Sequence, residues 1–203
     1  MNEADKLKAM RELNWRARYI KYKETGENKG LLQDNNGNDA DFDKAFEMMN
    51  LEHGLRVIDI GCGYGNLTLQ LAKKGNDVTG IDISVFIINE ARSKASTINV
   101  DCTFEAHDFL FFETEKKFDV ITDRGFITVL HKPDKLAAIN KMQNLLNTSG
   151  YVFMKVDKNQ LRKNFLSKEE LSACFDILHE WDTSYIRSDG KPIPANFFIL
   201  QKK

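Results

Sequence analysis

Two acids and three glycines carry the first chemical signal in this chain. Residues Val57-Ile58-Asp59-Ile60 form a short apolar run broken only by Asp59, and Gly61-Cys62-Gly63-Tyr64-Gly65-Asn66 follows with glycine at alternate positions. The pattern reads as a buried strand turning into a helix, because glycine adopts tight backbone conformations and leaves no Cβ between the chain and a ligand. The competing reading is a tight turn that binds nothing. A second apolar run, Asp77-Val78-Thr79-Gly80-Ile81, ends in Asp82. In a doubly wound sheet this is where a carboxylate meets a ribose. Asp82 is therefore expected to hold both ribose hydroxyls; its other role, capping the next helix, is one that Ser84 fills better. The two runs together define a nucleoside-binding crevice.

The loop itself discriminates between nucleosides. A dinucleotide fingerprint needs glycine at its first, third and sixth positions, and counting from Gly61 the sixth is Asn66. A nicotinamide-dependent oxidoreductase loses ground there. The sequence Asp-x-Gly-x-Gly-x-Gly, with Asp59 two residues before Gly61, instead resembles motif I of the S-adenosylmethionine-dependent methyltransferases of the Rossmann-like class. That cofactor bears an ammonium and a sulfonium but no phosphate, so carboxylates are welcome where a pyrophosphate would be repelled. The resemblance implies a doubly wound α/β fold with a mostly parallel seven-stranded sheet of order 3-2-1-4-5-7-6. It also implies an antiparallel last strand, helices on both faces and an N-terminal helical cap. It places the cofactor against Asp59, Gly61, Cys62, Gly63, Gly65 and Asn66, and against Asp82 with Ile83 on the adenine ring. Asp108, after the third strand, would accept from the adenine amino group. Phe109 either stacks on the ring or, as the run Phe109-Leu110-Phe111-Phe112 favours, belongs to a core and helix contact with only one of the four near the cofactor. A thiol beside a sulfonium risks methylating itself, which favours packing over catalysis for Cys62.

A fourth run, Phe118 to Thr122, leads into Asp123-Arg124-Gly125-Phe126, and this sequence resembles the thiopurine and tellurite-resistance group of methyltransferases. Those enzymes act on small molecules, often at sulfur, selenium or tellurium. Neither an Asn-Pro-Pro-Tyr nor an Asp-Pro-Pro-Tyr stands at 123–126, and no Pro-Cys is present, so methylation of DNA bases is not indicated. Asp123 is a cofactor-site residue in this reading. With a hydroxyl acceptor, Asp123 or His131 is also the candidate general base. His131 reads equally as an exposed loop histidine ahead of Lys132-Pro133. Arg124 either pairs with a carboxylate or holds an anionic substrate, and the first is favoured. In the resembled group an N-terminal tryptophan segment folds over cofactor and substrate, which points to Trp15; a helix that packs Trp15 into the core is the alternative. Trp15, Tyr19, Phe126, His131, Phe165 and Tyr185 make up the candidate acceptor pocket, suited to a small, partly apolar or aromatic molecule.

The elements that must position these groups follow from pattern and composition. With 203 residues and 42% hydrophobic content the chain can bury one full core, and a single domain is expected, with residues 1–50 as a cap and 51–203 as the sheet. Leu7, Met10, Leu13, Ala17 and Ile20 recur at helical spacing from about Glu3 to Glu24. A polar turn-rich loop at 35–39 and an acidic helix start at Asp41 come next. Further helices are expected at 84–96 and about 134–146, and strands at 100–105, 118–122 and 151–156. Asn147 to Gly150 reads as a break before the fifth strand. Ser167-Lys168-Glu169-Glu170 is a capping box opening a short helix to about Phe175. Two antiparallel strands, 177–186 and 195–201, close the chain around the turn at 188–192. A net charge of −1 offers no footprint for a nucleic-acid backbone, with 155–168 the one locally basic stretch. No apolar run reaches the length of a membrane span. Cys62, Cys102 and Cys174 lack metal-site spacing. A cytoplasmic protein with free thiols, no metal and a small-molecule partner is expected; oligomeric state is not legible. A third reading is a non-catalytic module that binds S-adenosylmethionine or supports a partner subunit.

Overall fold

The computed structural model describes residues 3–26, 39–158, 167–186 and 191–203. The loop predicted at 35–38, the turn at 188–190 and Phe165 lie outside the described residues.

Seven strands form one sheet: β1 (Arg56–Ile60), β2 (Asp77–Asp82), β3 (Thr103–Ala106), β4 (Phe118–Arg124), β5 (Leu146–Asp157), β6 (Phe175–Ile186) and β7 (Pro192–Lys202). Their order is β3-β2-β1-β4-β5-β7-β6. Pairings from β3 to β5 are parallel, while β7 runs antiparallel to both β5 and β6. Helices α1 (Glu3–Thr25), α2 (Ala40–Met48), α3 (Asn66–Ala72), α4 (Val85–Thr97), α5 (Phe126–Val129), α6 (Lys132–Leu145) and α7 (Lys168–Ser172) complete the described elements, with one 3-10 turn at Phe109–Phe111.

Burial explains why these runs are strands. Four of the five β1 residues are buried, as a parallel strand covered on both faces requires. Alternate side chains feed two cores: Ile58, Ile60, Ile121, Val152 and Met154 pack with α5 and α6, whereas Val57, Val120 and Phe153 pack with α2 and α3. A third cluster joins α1, α4 and Phe104.

Several boundaries differ from expectation for local reasons. Strand β3 starts at Thr103, not near Val100, because Val100 N–H bonds Ala95 O and closes the end of α4, with Asn99 at φ 51°. The break at 147–150 lies inside β5 as an irregularity, where Phe118 pairs with Leu146 and Val120 with Tyr151. The capping box at Ser167 forms, but its helix stops at Ser172. Lys155 is no part of a basic surface: it is buried, with Nζ 2.9 Å from Asp39 and 2.7 Å from Asp41.

Candidate cofactor and active site

The ends of β1 and β2 and the loops after β3 and β4 open into a cavity of 690 Å³, and α1 covers it. Asp59, Gly61, Cys62, Gly63, Asn66, Asp82, Ile83, Asp108, Phe109 and Trp15 all line it. The structure thus brings together most of the residues that the motifs single out.

The three glycines divide the work. A Cβ on Gly65 would meet the Phe104 ring at 2.5 Å and one on Gly61 would meet Phe126 Cβ at 2.9 Å, so packing forbids a side chain at either. Gly63, at φ +53°, has only the Tyr19 hydroxyl near its missing Cβ, at 3.6 Å. Gly63 is therefore the position where the open backbone serves the cavity, and Gly65, absent from its lining, starts α3.

The acids are buried and held by hydrogen bonds. Asp59 accepts from the hydroxyls of Thr68 at 2.6 Å and Thr122 at 3.0 Å. Burial pushes its carboxyl up to about 6, against the pull of those bonds and of the Arg124 charge. Asp82 accepts from the Gly63 N–H at 3.2 Å, the Tyr19 hydroxyl at 3.2 Å and the Ser84 N–H at 3.0 Å, and burial raises its pKa also. The expectation for Ser84 is corrected here. Ser84 makes no side-chain cap and its hydroxyl oxygen has no partner among the described residues; Asp82 takes the Ser84 N–H itself. Asp108 accepts the Leu110 N–H at 3.1 Å and the Arg11 guanidinium at 3.2 Å.

Both catalytic candidates point elsewhere. Asp123 is fully buried and accepts the N–H groups of Phe126 at 2.7 Å and Ile127 at 3.0 Å, so it anchors the start of α5 and does not line the cavity. Burial, with Asp59 nearby, lifts its carboxyl to about 7. His131 is exposed at the N-cap position of α6, outside the cavity lining, where its extended backbone leads into Lys132-Pro133. Tyr185 is likewise no part of an acceptor pocket, since its buried hydroxyl donates to Lys155 O. Arg124 lines the cavity and pairs with Asp39 at 2.8 Å.

Arg11, Tyr22 and Tyr64 also line the cavity without having been singled out. Arg11, Trp15, Tyr19 and Tyr22 fall on one helical stripe, and Tyr64 packs edge-on to Tyr19 and Tyr22 with ring centroids 6.0 and 6.2 Å apart. The apolar stripe of Leu7, Met10 and Leu13 attracts the eye first, yet it faces solvent, with Met10 56% and Leu13 60% exposed.

Residues 51–190 match the family described as the Methyltransferase domain. The chain belongs to this family. Among proteins similar to this methyltransferase domain is the ubiquinone biosynthesis O-methyltransferase of Xanthomonas campestris pv. campestris (strain B100), 35% identical over 103 residues. That stretch is 50% of this chain and 42% of that protein, and the chain spans half or less of the curated relatives it matches. Magnesium protoporphyrin IX methyltransferase from Synechocystis PCC 6803, solved with bound SAH, superposes with a TM-score of 0.70 at 17% identity, over 97% of this chain and 99% of that one. The N-methyltransferase NodS from Bradyrhizobium japonicum WM9, in complex with S-adenosyl-l-homocysteine, gives 0.65 at 19% identity, over 80% and 85%. At these identities the likeness is one of fold, and the methyltransferase domain shares their sheet. Among the described residues no helix is long and apolar enough to cross a membrane, and no cluster of His, Cys, Asp or Glu could hold a metal ion. The three cysteines are free thiols.

Proposed function

We propose that this domain binds S-adenosylmethionine and transfers its methyl group to a small-molecule acceptor. The observation that carries the reading is the convergence of Asp59, Asp82 and Asp108 on one cavity beside Gly63. The residues fit the cofactor. Buried carboxylates suit its two positive charges and its hydroxyl and amino donors, and the buried Asn66 Oδ1, which has no partner among the described residues, is a further acceptor on the cavity wall. The same acids would repel a pyrophosphate, which counts against a nicotinamide cofactor.

The residues sort by what they would hold. Asp82 would take a ribose hydroxyl, with Ile83 against the adenine; Asp108 would take the adenine amino group, with Phe109 near the ring. Gly61, Cys62 and Gly63 would lie along the rest of the cofactor, with Asp59 and Asn66 near its charged end. Trp15 of α1 would close over it. S-adenosylmethionine supplies a methyl carbon activated by its sulfonium, open to in-line displacement in which the acceptor's lone pair forms the new bond and the carbon–sulfur pair stays on sulfur. The chain's own contributions are alignment and exclusion of water, through the aromatic wall of Trp15, Tyr19, Tyr22 and Phe126.

That wall, with Val129 and Leu130, favours a partly apolar or aromatic acceptor. The O-methyltransferases among the relatives support an aromatic hydroxyl, and the Asp123-Arg124-Gly125 sequence supports a thiol or a chalcogen oxyanion. With Asp123 and His131 outside the cavity lining and His107 on it, an acceptor ionised at neutral pH needs no protein base, and His107 is the lining histidine to which a protonated acceptor would turn. The test is isothermal titration with S-adenosylmethionine and S-adenosylhomocysteine beside Asp82→Ala, then an acceptor screen over thiols, chalcogen oxyanions and aromatic hydroxyls. Binding that is lost in the variant supports the reading. A wild-type protein that binds neither ligand overturns it.

A further inference from the structure

Helix α1 touches two of the three cavity acids directly. The Tyr19 hydroxyl donates to Asp82 Oδ2 at 3.2 Å, and the Arg11 guanidinium donates to Asp108 Oδ2 at 3.2 Å and to Asp134 Oδ2, in the first turn of α6, at 2.7 Å. Eight residues separate Arg11 from Tyr19, a little over two turns, so both donors leave the same face of the helix. That face can reach both ends of a nucleoside.

These contacts are not casual surface pairs. Tyr19 is 8% exposed, Asp82 6% and Asp108 5%. Burial and the Asp82 charge raise the Tyr19 phenol well above its ordinary pKa, so it remains a donor. A carboxylate offers about four acceptor positions. On Asp82 the Tyr19 hydroxyl and the Gly63 N–H meet Oδ2 and the Ser84 N–H meets Oδ1, so Oδ1 is the freer oxygen for a ribose hydroxyl. Three donors from three segments fix the carboxylate's rotamer and aim its remaining acceptor capacity at the cavity that Asp82 lines. Asp108 is pinned in the same way by the Leu110 N–H on one oxygen and Arg11 on the other.

We propose that α1 is a cofactor-recognition element, in which Tyr19 is the positioning residue for the ribose acid Asp82 and Arg11 the positioning residue for the adenine acid Asp108. The inference rests on reading the cavity as the adenosine site. It gives each residue a distinct ligand signature. Losing the Tyr19 hydroxyl weakens recognition of the ribose alone, and losing the Arg11 guanidinium weakens recognition of the adenine amino group alone.

The experiment is isothermal titration of the full chain and its Tyr19→Phe and Arg11→Met variants with three ligands. These are S-adenosylhomocysteine, its 2′,3′-dideoxy analogue and S-inosylhomocysteine, which carries an oxo group in place of the adenine amine; thermal melts check that the variants fold. Each variant is expected to bind S-adenosylhomocysteine about five- to tenfold more weakly, the scale of one ordinary hydrogen bond, because each residue acts through the acid it holds. For Tyr19→Phe that loss should shrink to within about twofold on the dideoxy analogue and persist on S-inosylhomocysteine; for Arg11→Met the pattern should invert. Equal losses on all three ligands would reduce both residues to general packing and overturn the proposal. Tighter binding by Tyr19→Phe would overturn it too, because the hydroxyl would then be competing with the ribose. A wild-type chain that binds none of the ligands removes the adenosine site itself, and the inference with it; wild-type binding with unchanged variants removes the inference alone.

Discussion

Two groups of carboxylates, one at the start of α2 and one in the cavity, are satisfied in different ways. Asp39 and Asp41, at the start of α2, are met by cations: Lys155 reaches both at 2.9 and 2.7 Å, and Arg124 reaches Asp39 at 2.8 Å. Hydrogen bonds from Lys155, Thr183 and Trp181 hold the Asp41 carboxyl below its ordinary value despite its burial. Asp59 and Asp82 have hydrogen bonds but no lysine or arginine at ion-pair distance among the described residues, and their pKa values rise. Cations hold Asp39 and Asp41 in the scaffold, whereas Asp59 and Asp82 face the cavity with hydrogen bonds alone. Counter-charge does not sort every acid in this way: Asp108 lines the cavity and pairs with Arg11, and Asp123, without a cation at ion-pair distance among the described residues, anchors α5.

The comparison breaks first where the scaffold group is cut. Asp39→Ala leaves Lys155 with Asp41, takes one carboxylate partner from Arg124 and removes the α2 N-cap, and it should destabilise the domain by about 2–3 kcal/mol in denaturant unfolding. Any protein that remains folded should keep its S-adenosylhomocysteine affinity. Asp82→Ala should do the reverse, weakening that affinity by about a hundredfold while the melting temperature falls less than in Asp39→Ala, since relief of a costly buried charge offsets the loss of its bonds from Tyr19, Gly63 and Ser84. If Asp82→Ala instead unfolded the protein, the two groups would not differ in kind.

Asp59→Asn sharpens the contrast at smaller scale. It should stabilise the unliganded protein by about 1–2 kcal/mol at pH 8, read by chemical denaturation. It should also cost more affinity for S-adenosylmethionine than for uncharged-sulfur S-adenosylhomocysteine. The pH dependence has a definite sign. The carboxyls of Asp59 at about 6 and Asp123 at about 7 lie above the ordinary 3.8, so between those values the folded state binds more protons than the unfolded one. Their contribution therefore favours the fold at low pH and is lost as pH rises through 6 and 7, and Asp59→Asn should flatten the melting profile there. His131→Ala, at an exposed loop position, should change stability by less than about 0.5 kcal/mol and leave turnover untouched; a loss of turnover with an alcohol acceptor would return the base role to His131.

The strands β1 and β2 and the acids at 59 and 82 were legible because they depend on short-range patterns: apolar runs that must be covered on both faces, and an acid or glycine at their ends. The strand order and Asp108 came from the resemblance to Rossmann-like methyltransferases. Orientation was not legible. Asp123 and Asp59 both punctuate apolar runs, yet Asp123 turns to two backbone N–H groups of α5, a single turn of helix too short to leave a period in the sequence. Ser84 has the right chemistry for a cap and loses the place to Asp82, whose carboxylate already stands at the strand end. On α1 the apolar spacing of Leu7, Met10 and Leu13 identified a helix but not its docked face, because that face is built from Arg11, Trp15, Tyr19 and Tyr22, and an apolar count passes over such residues.

The way α1 is attached sets how it can come away. Its large aliphatic side chains already face water, and the contacts that hold it are hydrogen bonds, rings and ion pairs, including Lys23 to Glu90 at 2.8 Å. Lifting the helix breaks its ion pairs and uncovers Trp15 and Tyr19 from the cluster they share with α4 and Phe104, so the opening should respond to ionic strength as well as to urea. Amide hydrogen exchange along residues 3–25 should then proceed through a local, salt-accelerated event while the sheet stays protected, giving the cavity a door that works independently of the stability of the room behind it.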